Sequence, residues 1–94
     1  MGLQNAWSQS RWRHNPAAIV VRRRRAAVLQ AWRIEAGLTI EQVSKALGLS
    51  STKIIAALEE GLGNLGRERV LHLARIYRVD HAAMLRVIRT GSVE

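Results

Sequence analysis

Hydrophobic residues recur every three or four positions along most of this chain, which places them on one side of successive α-helices. The first such stretch follows Asn15-Pro16, where asparagine favours the N-cap and proline the first helical position. No helix breaker follows before Gly37, so the pattern predicts one long first helix. Its apolar stripe consists of Val21, Val28, Leu29, Trp32 and Ala36.

A second, shorter helix is predicted after Gly37, which suits a left-handed C-cap. Thr39 and Gln42 have the spacing of a capping box, and the helix then stops at Gly48. Its apolar side is formed by Ile40, Val43 and Leu47. Ser50 or Ser51 is the expected N-cap of a third helix.

The register of the third helix has two interpretations. Counting forward from Gly48 places Ile54 and Ala57 inside, whereas counting back from Gly61 places Ile55 and Leu58 inside. On either count the exposed positions are filled by one isoleucine and one or two alanines.

The rest of the chain predicts a glycine-rich loop and two more helices. The fourth helix has its apolar side chains at Val70, Leu73, Ala74 and Tyr77. Asp80 is expected to cap the fifth helix, which presents Met84, Leu85 and Ile88. With no strand pattern, the fold class is all-α. We expect an arm at 1–15, a helical domain at 16–90 and a tail at 91–94.

Composition excludes several kinds of site. The 94 residues suffice for one domain, and no cysteine is present. His14, His72 and His81 are too scattered for a metal site, so neither a metal nor a cofactor is expected. The early apolar run at 17–21 is too short to cross a membrane. We therefore expect a soluble, cytoplasmic protein of a bacterium or of a phage-infected cell.

Positive charge is concentrated at the start of a chain whose net charge is +8. Arginines at 11, 13, 22–25 and 33 all precede the first acid, Glu35. Such asymmetry indicates contact with an anionic polymer or surface. Codon bias, an organelle transit peptide and a simply solvated helix face are the alternatives.

The run Arg22 to Arg25 cannot share one helix face, since four successive residues sweep about 300°. Arg25 falls in line with Val21 and Leu29. Our interpretation is that the first turns protrude beyond the core and are solvated all round. The alternative is a bend at 22–24, with the core helix beginning near Arg25.

Three segments together resemble the lambda-repressor-like family of Xre and Cro regulators. They are "LQAWRIEAGLTIEQVSKALGLS", "LEEGLGN" and "VLHLARIYRVDHAAML", which cover about residues 25–89 with a helix-turn-helix whose turn lies near 48–51. The family motif places Leu29, Trp32 and Arg33 before the first glycine, Ser44 in the second helix, and Glu59-Glu60-Gly61 at the end of the third. The resemblance implies five helices, with the third in the DNA major groove and the second bracing on the backbone.

The third helix departs from the usual DNA reader. Ile40 stands where the family often has a glutamine, and residues 54–57 lack the side chains that bond base edges bidentately. Polar groups remain in the first turn, where free N–H groups suit phosphate. Arginines of the arm can enter the minor groove. The predicted DNA-binding residues are Arg11, Arg13, Arg22, Arg23, Arg24, Arg25, Thr39, Ser50, Ser51, Thr52 and Lys53.

The leading hypothesis is a small repressor-like or Cro-like transcriptional regulator of the kind that phages, prophages and plasmids encode. It would bind double-stranded DNA, without a membrane or a small-molecule effector. The alternative is a protein-interaction module, antitoxin-like or anti-regulator, that uses Ile40, Ile54, Ile55 and Ala56. A homodimer through Val87 and Ile88, and RNA binding, are further options. No paired carboxylates or phosphate-binding glycine loop indicate an enzyme.

Overall fold

A computed structural model describes residues 16–93 of the chain. Over that range it contains five α-helices and no β-strand, so the predicted all-α, five-helix fold is confirmed. The helices are α1 (Pro16–Glu35), α2 (Ile40–Ala46), α3 (Lys53–Glu59), α4 (Arg67–Tyr77) and α5 (His81–Thr90). The arm at 1–15, with Arg11 and Arg13, lies outside the described residues.

Helix α1 runs without interruption through the four arginines, so the predicted long first helix is confirmed and the alternative of a bend at 22–24 is wrong. The description of its first turns as solvated all round is also wrong, because Arg25 is buried with 6% of its surface exposed. Leu29 and Ala26 are buried on the same helix. The apolar stripe therefore incorporates Arg25, the position that the helical spacing aligned with it.

Helix α2 begins with the capping box expected at Thr39 and Gln42. The Gln42 N–H donates to Thr39 Oγ1 at 3.1 Å, and the Thr39 N–H donates to Gln42 Oε1 at 2.9 Å. After α2 the chain reverses at Gly48, whose φ of +73° favours glycine. The Leu49 N–H then donates to the Ser44 carbonyl at 2.9 Å, which closes the end of the helix.

Helix α3 begins later than predicted. Its N-cap is Thr52, so the assignment of Ser50 or Ser51 to that position is wrong. Counting back from Gly61 gives the correct register, because Ile55 and Leu58 are only 1% and 2% exposed. The turn after α2 is longer than a three-residue step, which shifts the inward positions by one residue and leaves Ile54 outside.

Helices α4 and α5 are joined by a short turn, and a residue at each end of the turn stabilises it. Arg78 follows α4 with φ +57°, the only non-glycine residue with positive φ in the described range. Asp80 caps α5 as predicted, since its Oδ2 accepts a hydrogen bond from the Ala83 N–H at 3.2 Å. This turn lets α4 and α5 pack against each other.

One core joins all five helices. Helix α1 packs on α3 and α5, and α2 packs on α3 and α4. Ten buried side chains form its centre: Leu29, Val43, Leu47, Ile55, Leu58, Val70, Leu73, Ala74, Tyr77 and Met84. Val87 is also fully buried, so its assignment to a dimer surface is wrong. Ile88 remains half-buried.

Gly91 ends α5 and lets α1 lie directly against it. Its φ is +75°, and a Cβ at this position would lie 2.6 Å from the Val21 carbonyl oxygen and 2.9 Å from Arg24 Cβ. Glycine is therefore required by both backbone conformation and space. The contact fixes the first half of α1 on the end of α5.

Between residues 16 and 93, no helix combines the length and apolar character needed to cross a bilayer. The same residues contain no group of three or more His, Cys, Asp or Glu side chains that could hold a metal ion.

Candidate nucleic-acid interface

An ion pair between α1 and α3 fixes the orientation of α3. Arg33 Nε donates to Glu59 Oε2 at 2.7 Å, and Arg33 Nη2 donates to Glu59 Oε1 at 2.9 Å. Both side chains are largely buried, with 13% and 6% exposed. Hydrogen bonding to Glu59 raises the pKa of Arg33 above its ordinary value. A planar two-point pair of this kind is geometrically specific, so it restricts how α3 lies on α1.

The same guanidinium also reaches the turn that precedes α2. Arg33 Nη1 donates to the Leu38 carbonyl at 2.9 Å. One side chain thus connects α1, the α1–α2 turn and the last residue of α3. Sequence reasoning placed Arg33 and Glu59 in the family motif but missed their pairing. The pairing could have been predicted, because Arg33 and Glu59 are charged residues in apolar segments that pack together in the fold that the resemblance implies.

The outward side of α3 offers few polar groups. Ile54 is 38% exposed, Ala57 is half-buried, and Lys53 and Glu60 are exposed. Two charged side chains therefore accompany an apolar centre. Such a surface can approach another molecule closely, but it has no arginine, asparagine or glutamine for bidentate base contacts.

Polar groups cluster immediately before and at the first residue of α3. Ser50, Ser51, Thr52 and Lys53 are all exposed. Ser51 Oγ accepts a hydrogen bond from the Lys53 N–H at 3.4 Å, and the Thr52 side chain makes no capping bond. The structure brings these four predicted residues together on one short segment, with the Lys53 ammonium group exposed to a ligand.

The start of α2 is less open to a ligand. The Thr39 hydroxyl oxygen accepts the capping bond from Gln42, although the residue remains exposed. Ile40 is half-buried and packs against the core. At the position where the family often has a glutamine, α2 therefore presents the apolar side chain of Ile40, and only the Thr39 hydroxyl stands beside it.

The four successive arginines have different environments. Arg23 and Arg24 are exposed, and Arg22 is half-buried. Arg25 is buried and donates through Nη2 to the Gly63 carbonyl at 3.0 Å and through Nη1 to Asn64 Oδ1 at 3.4 Å. Arg25 was predicted to contact DNA directly, and that prediction is wrong because its side chain is buried beneath the loop that contains Gly63 and Asn64.

The arginine run lies near the end of α3 rather than near its start. A Cβ at Gly61 would be 3.5 Å from the Arg22 carbonyl oxygen, which places the α1 backbone against the residues that follow α3. Lys53 is at the other end of α3, and a helix of seven residues spans about 10 Å. Lys53 and the α1 backbone at Arg22 therefore lie at opposite ends of α3.

The apolar residues predicted to bind a protein partner also differ in their exposure. Ile54 is exposed and Ala56 is half-buried, but Ile55 is fully packed in the core and cannot contact a partner. The sequence pattern did not identify Leu62, which is 55% exposed in the loop between α3 and α4. Ile54 and Leu62 thus form the exposed apolar part of this region.

A cleft of about 480 Å³ lies between the end of α1 and the end of α4. It is lined by Trp32, Glu35, Ala36, Tyr77, Arg78 and Val79. Burial, with a smaller contribution from the negative charge of Glu59, raises the pKa of Tyr77 far above its ordinary value. The phenol is therefore neutral at physiological pH and is not a base for catalysis.

Comparison with known proteins identifies one family. A family model described as a helix-turn-helix domain matches residues 21–87, which include all of α2, α3 and α4 and most of α1 and α5. No curated protein and no solved structure matches the chain. The order of the five helices is consistent with the lambda-repressor-like resemblance. With most of its length matched by that model, the chain belongs to the helix-turn-helix domain family.

Proposed function

We propose that this protein is a small transcriptional regulator that binds duplex DNA through α3 and through the exposed arginines of α1. The observation that best supports the proposal is the exposed polar segment Ser50–Lys53 at the start of α3, a helix whose orientation is held by Arg33 and Glu59. Membership in the helix-turn-helix family supports the same class of ligand.

Contacts to the phosphate backbone supply most of the affinity in this proposal. Lys53 and the hydroxyls of Ser50, Ser51 and Thr52 contact phosphates at the start of α3, and Thr39 adds a contact from α2. These groups position a protein on DNA without reading its sequence. Arg22, Arg23 and Arg24 contribute charge near the other end of the helix.

Arg11 and Arg13 extend this interface from the N-terminal segment. Arginines in such a segment read the width and the negative potential of a narrow minor groove. Both arginines lie outside the described residues. Their contribution is tested by deleting residues 1–14, which should lower the affinity for DNA with a narrow minor groove more than for other duplexes.

Direct readout of bases is weak in this proposal. Ile54 is the exposed side chain at the centre of α3, and an apolar side chain discriminates bases mainly through the thymine methyl group. Selection of bound duplexes from a random pool should therefore return a loose consensus. A sharp consensus with strongly preferred guanines would contradict this account of α3.

Binding through phosphate contacts with weak base readout fits a compact regulator of the Cro or repressor type, of the kind that phages, prophages and plasmids encode. The first experiment measures binding to a random-sequence duplex at low salt by fluorescence anisotropy. Binding at micromolar concentration or tighter supports the proposal, since non-specific affinities at physiological salt are typically about 10⁻⁴–10⁻⁶ M and strengthen as salt falls. Absence of binding at low salt would reject it.

A protein-interaction module is the second candidate, and one observation favours it. Ile54, on α3, is 38% exposed, and Leu62, in the loop between α3 and α4, is 55% exposed. Charged substitutions, Ile54→Glu and Leu62→Glu, should abolish capture of a protein partner. The two candidates are separated by the random-sequence duplex, which a dedicated protein-interaction module would not bind.

A further inference from the structure

Arg25 is a buried cation whose described partners are all neutral. Its guanidinium donates to the Gly63 carbonyl and to the Asn64 side-chain oxygen. Within residues 16–93 its Nε has no hydrogen-bond partner, and no carboxylate oxygen lies within 4.0 Å of it. Burial lowers the pKa of Arg25, and the nearby charge of Arg22 lowers it further.

This arrangement is unfavourable for stability when considered alone. A buried charge ordinarily requires an opposite charge and a full set of hydrogen bonds. An apolar residue would complete the stripe that Ala26 and Leu29 form on α1. A charge that breaks the local pattern without compensation within the described residues is the kind of feature found at functional sites.

The position of Arg25 relates that charge to the candidate interface. Its two acceptors belong to the loop at 62–66 between α3 and α4, and Leu62, Gly63 and Asn64 are exposed. The positive charge therefore lies beneath an exposed loop surface. The same hydrogen bonds fasten that loop to α1.

We propose that Arg25 is a positioning residue for DNA binding, which holds the loop at 62–66 on α1 and leaves its positive charge to be balanced by a backbone phosphate of bound duplex. The inference rests on the proposed DNA binding. It predicts that a carboxylate introduced next to the Arg25 guanidinium should stabilise the folded protein and weaken its binding to DNA.

The substitution Asn64→Asp tests this consequence. It places a carboxylate at the acceptor that Arg25 already contacts, so we expect Tm to rise by about 4 °C or more. We expect the affinity for a random-sequence duplex at low salt to fall roughly threefold or more, because the internal carboxylate now balances the charge. Gln30→Glu is the matched control, since it adds the same charge at an exposed position of α1. The control should not raise Tm and should weaken binding less.

Two results with Asn64→Asp would overturn the inference. An unchanged or lower Tm would show that Arg25 is not an unbalanced charge next to Asn64. A raised Tm with unchanged DNA affinity would show that the charge of Arg25 plays no part in binding. If the wild-type protein binds no duplex at all, the proposed function itself fails, and the Tm comparison still reports on the environment of Arg25.

Substitution of Arg25 itself provides an independent measurement. Arg25→Met keeps an unbranched side chain without the charge, so we expect Tm to be retained or raised and the DNA affinity to fall at least as far as in Asn64→Asp. Arg25→Lys keeps the charge and should restore part of the affinity. Equal affinity of the Met and Lys variants would contradict a role for the charge. Should the Met variant fail to fold, Asn64→Asp alone decides the question.

Discussion

Arg33 and Glu59, on α1 and at the end of α3, pair through two hydrogen bonds of 2.7 and 2.9 Å while both side chains are largely buried. Removing one partner of such a pair leaves the other buried without an opposite charge. We expect Glu59→Ala to lower the free energy of unfolding by about 3 kcal/mol or more. Chemical denaturation measures this loss.

The matched control for this ion pair is Glu35→Ala, which removes an exposed carboxylate from the same end of α1. Its effect should lie within about 0.5 kcal/mol of the wild type. Arg33→Lys should be nearly as unstable as Glu59→Ala, because an ammonium group cannot form the two-point contact. A loss below about 1 kcal/mol for Glu59→Ala would place the pair among ordinary surface salt bridges.

Gly91 should tolerate no side chain. In Gly91→Ala the new Cβ would meet the Val21 carbonyl oxygen at 2.6 Å, and the residue has φ +75°. We expect a loss of about 1–3 kcal/mol from backbone strain alone, with the contact adding to it. Gly66→Ala is the control, since Gly66 has φ –64° and no atom within 4 Å of the added Cβ, so it should lose only the preference for glycine over alanine at the N-cap of α4. Thermal unfolding should separate the two variants clearly, and equal Tm values would contradict the close approach of α1 to α5.

Ser44 carries a buried hydroxyl, and its Oγ has no hydrogen-bond partner among the described residues. An unsatisfied buried hydroxyl costs about 1–3 kcal/mol of desolvation, so Ser44→Ala should increase stability. Because the substitution removes a single oxygen atom, the cavity that it leaves is small. A measurable decrease in the free energy of unfolding would show that the hydroxyl has a partner, such as a buried water molecule.

The buried phenol of Tyr77 should make the free energy of unfolding depend on pH in the alkaline range. Burial raises the pKa of its phenol in the folded state above the unfolded value of about 10, so folding favours the neutral form. The stability associated with Tyr77 is therefore complete below pH 10 and is lost as pH rises above it. We expect wild-type stability to fall by up to about 1.4 kcal/mol per pH unit in that region from this group.

Tyr77→Phe should remove this part of the alkaline loss. The chain has one tyrosine, so phenolate absorbance during a pH titration reports on Tyr77 alone. Lysine titration is common to both proteins and cancels in the comparison. Parallel stability curves for wild type and variant above pH 10 would contradict the burial of a neutral phenol.

Local signals were sufficient to predict most of the fold. The capping box at Thr39 and Gln42 and the cap at Asp80 depend on residues three positions apart, and both are confirmed. The register of α3 depended on the length of the preceding turn, which sequence spacing did not determine. Gly48 and Gly61 gave conflicting counts, and the later start of α3 at Lys53 decided between Ile54 and Ile55.

The candidate site was less predictable because it depends on contacts between distant segments. Helical spacing aligned Arg25 with the apolar stripe, but only the fold supplies its acceptors at Gly63 and Asn64, 38 and 39 positions away. The pairing of Arg33 with Glu59 likewise required the packing of α1 against α3. Exposure of an arginine therefore could not be inferred from its charge alone.

The most direct test of DNA binding by Lys53 and the exposed arginines of α1 is the slope of log affinity against log salt for a random-sequence duplex. Wild type should give a steep negative slope, and Lys53→Ala and Arg23→Ala should each reduce it by about 0.9 for every phosphate that the variant no longer neutralises. Arg89→Ala, which removes an exposed cation from α5, should change it less. A wild-type slope near zero, or equal slopes for all four proteins, would contradict the account.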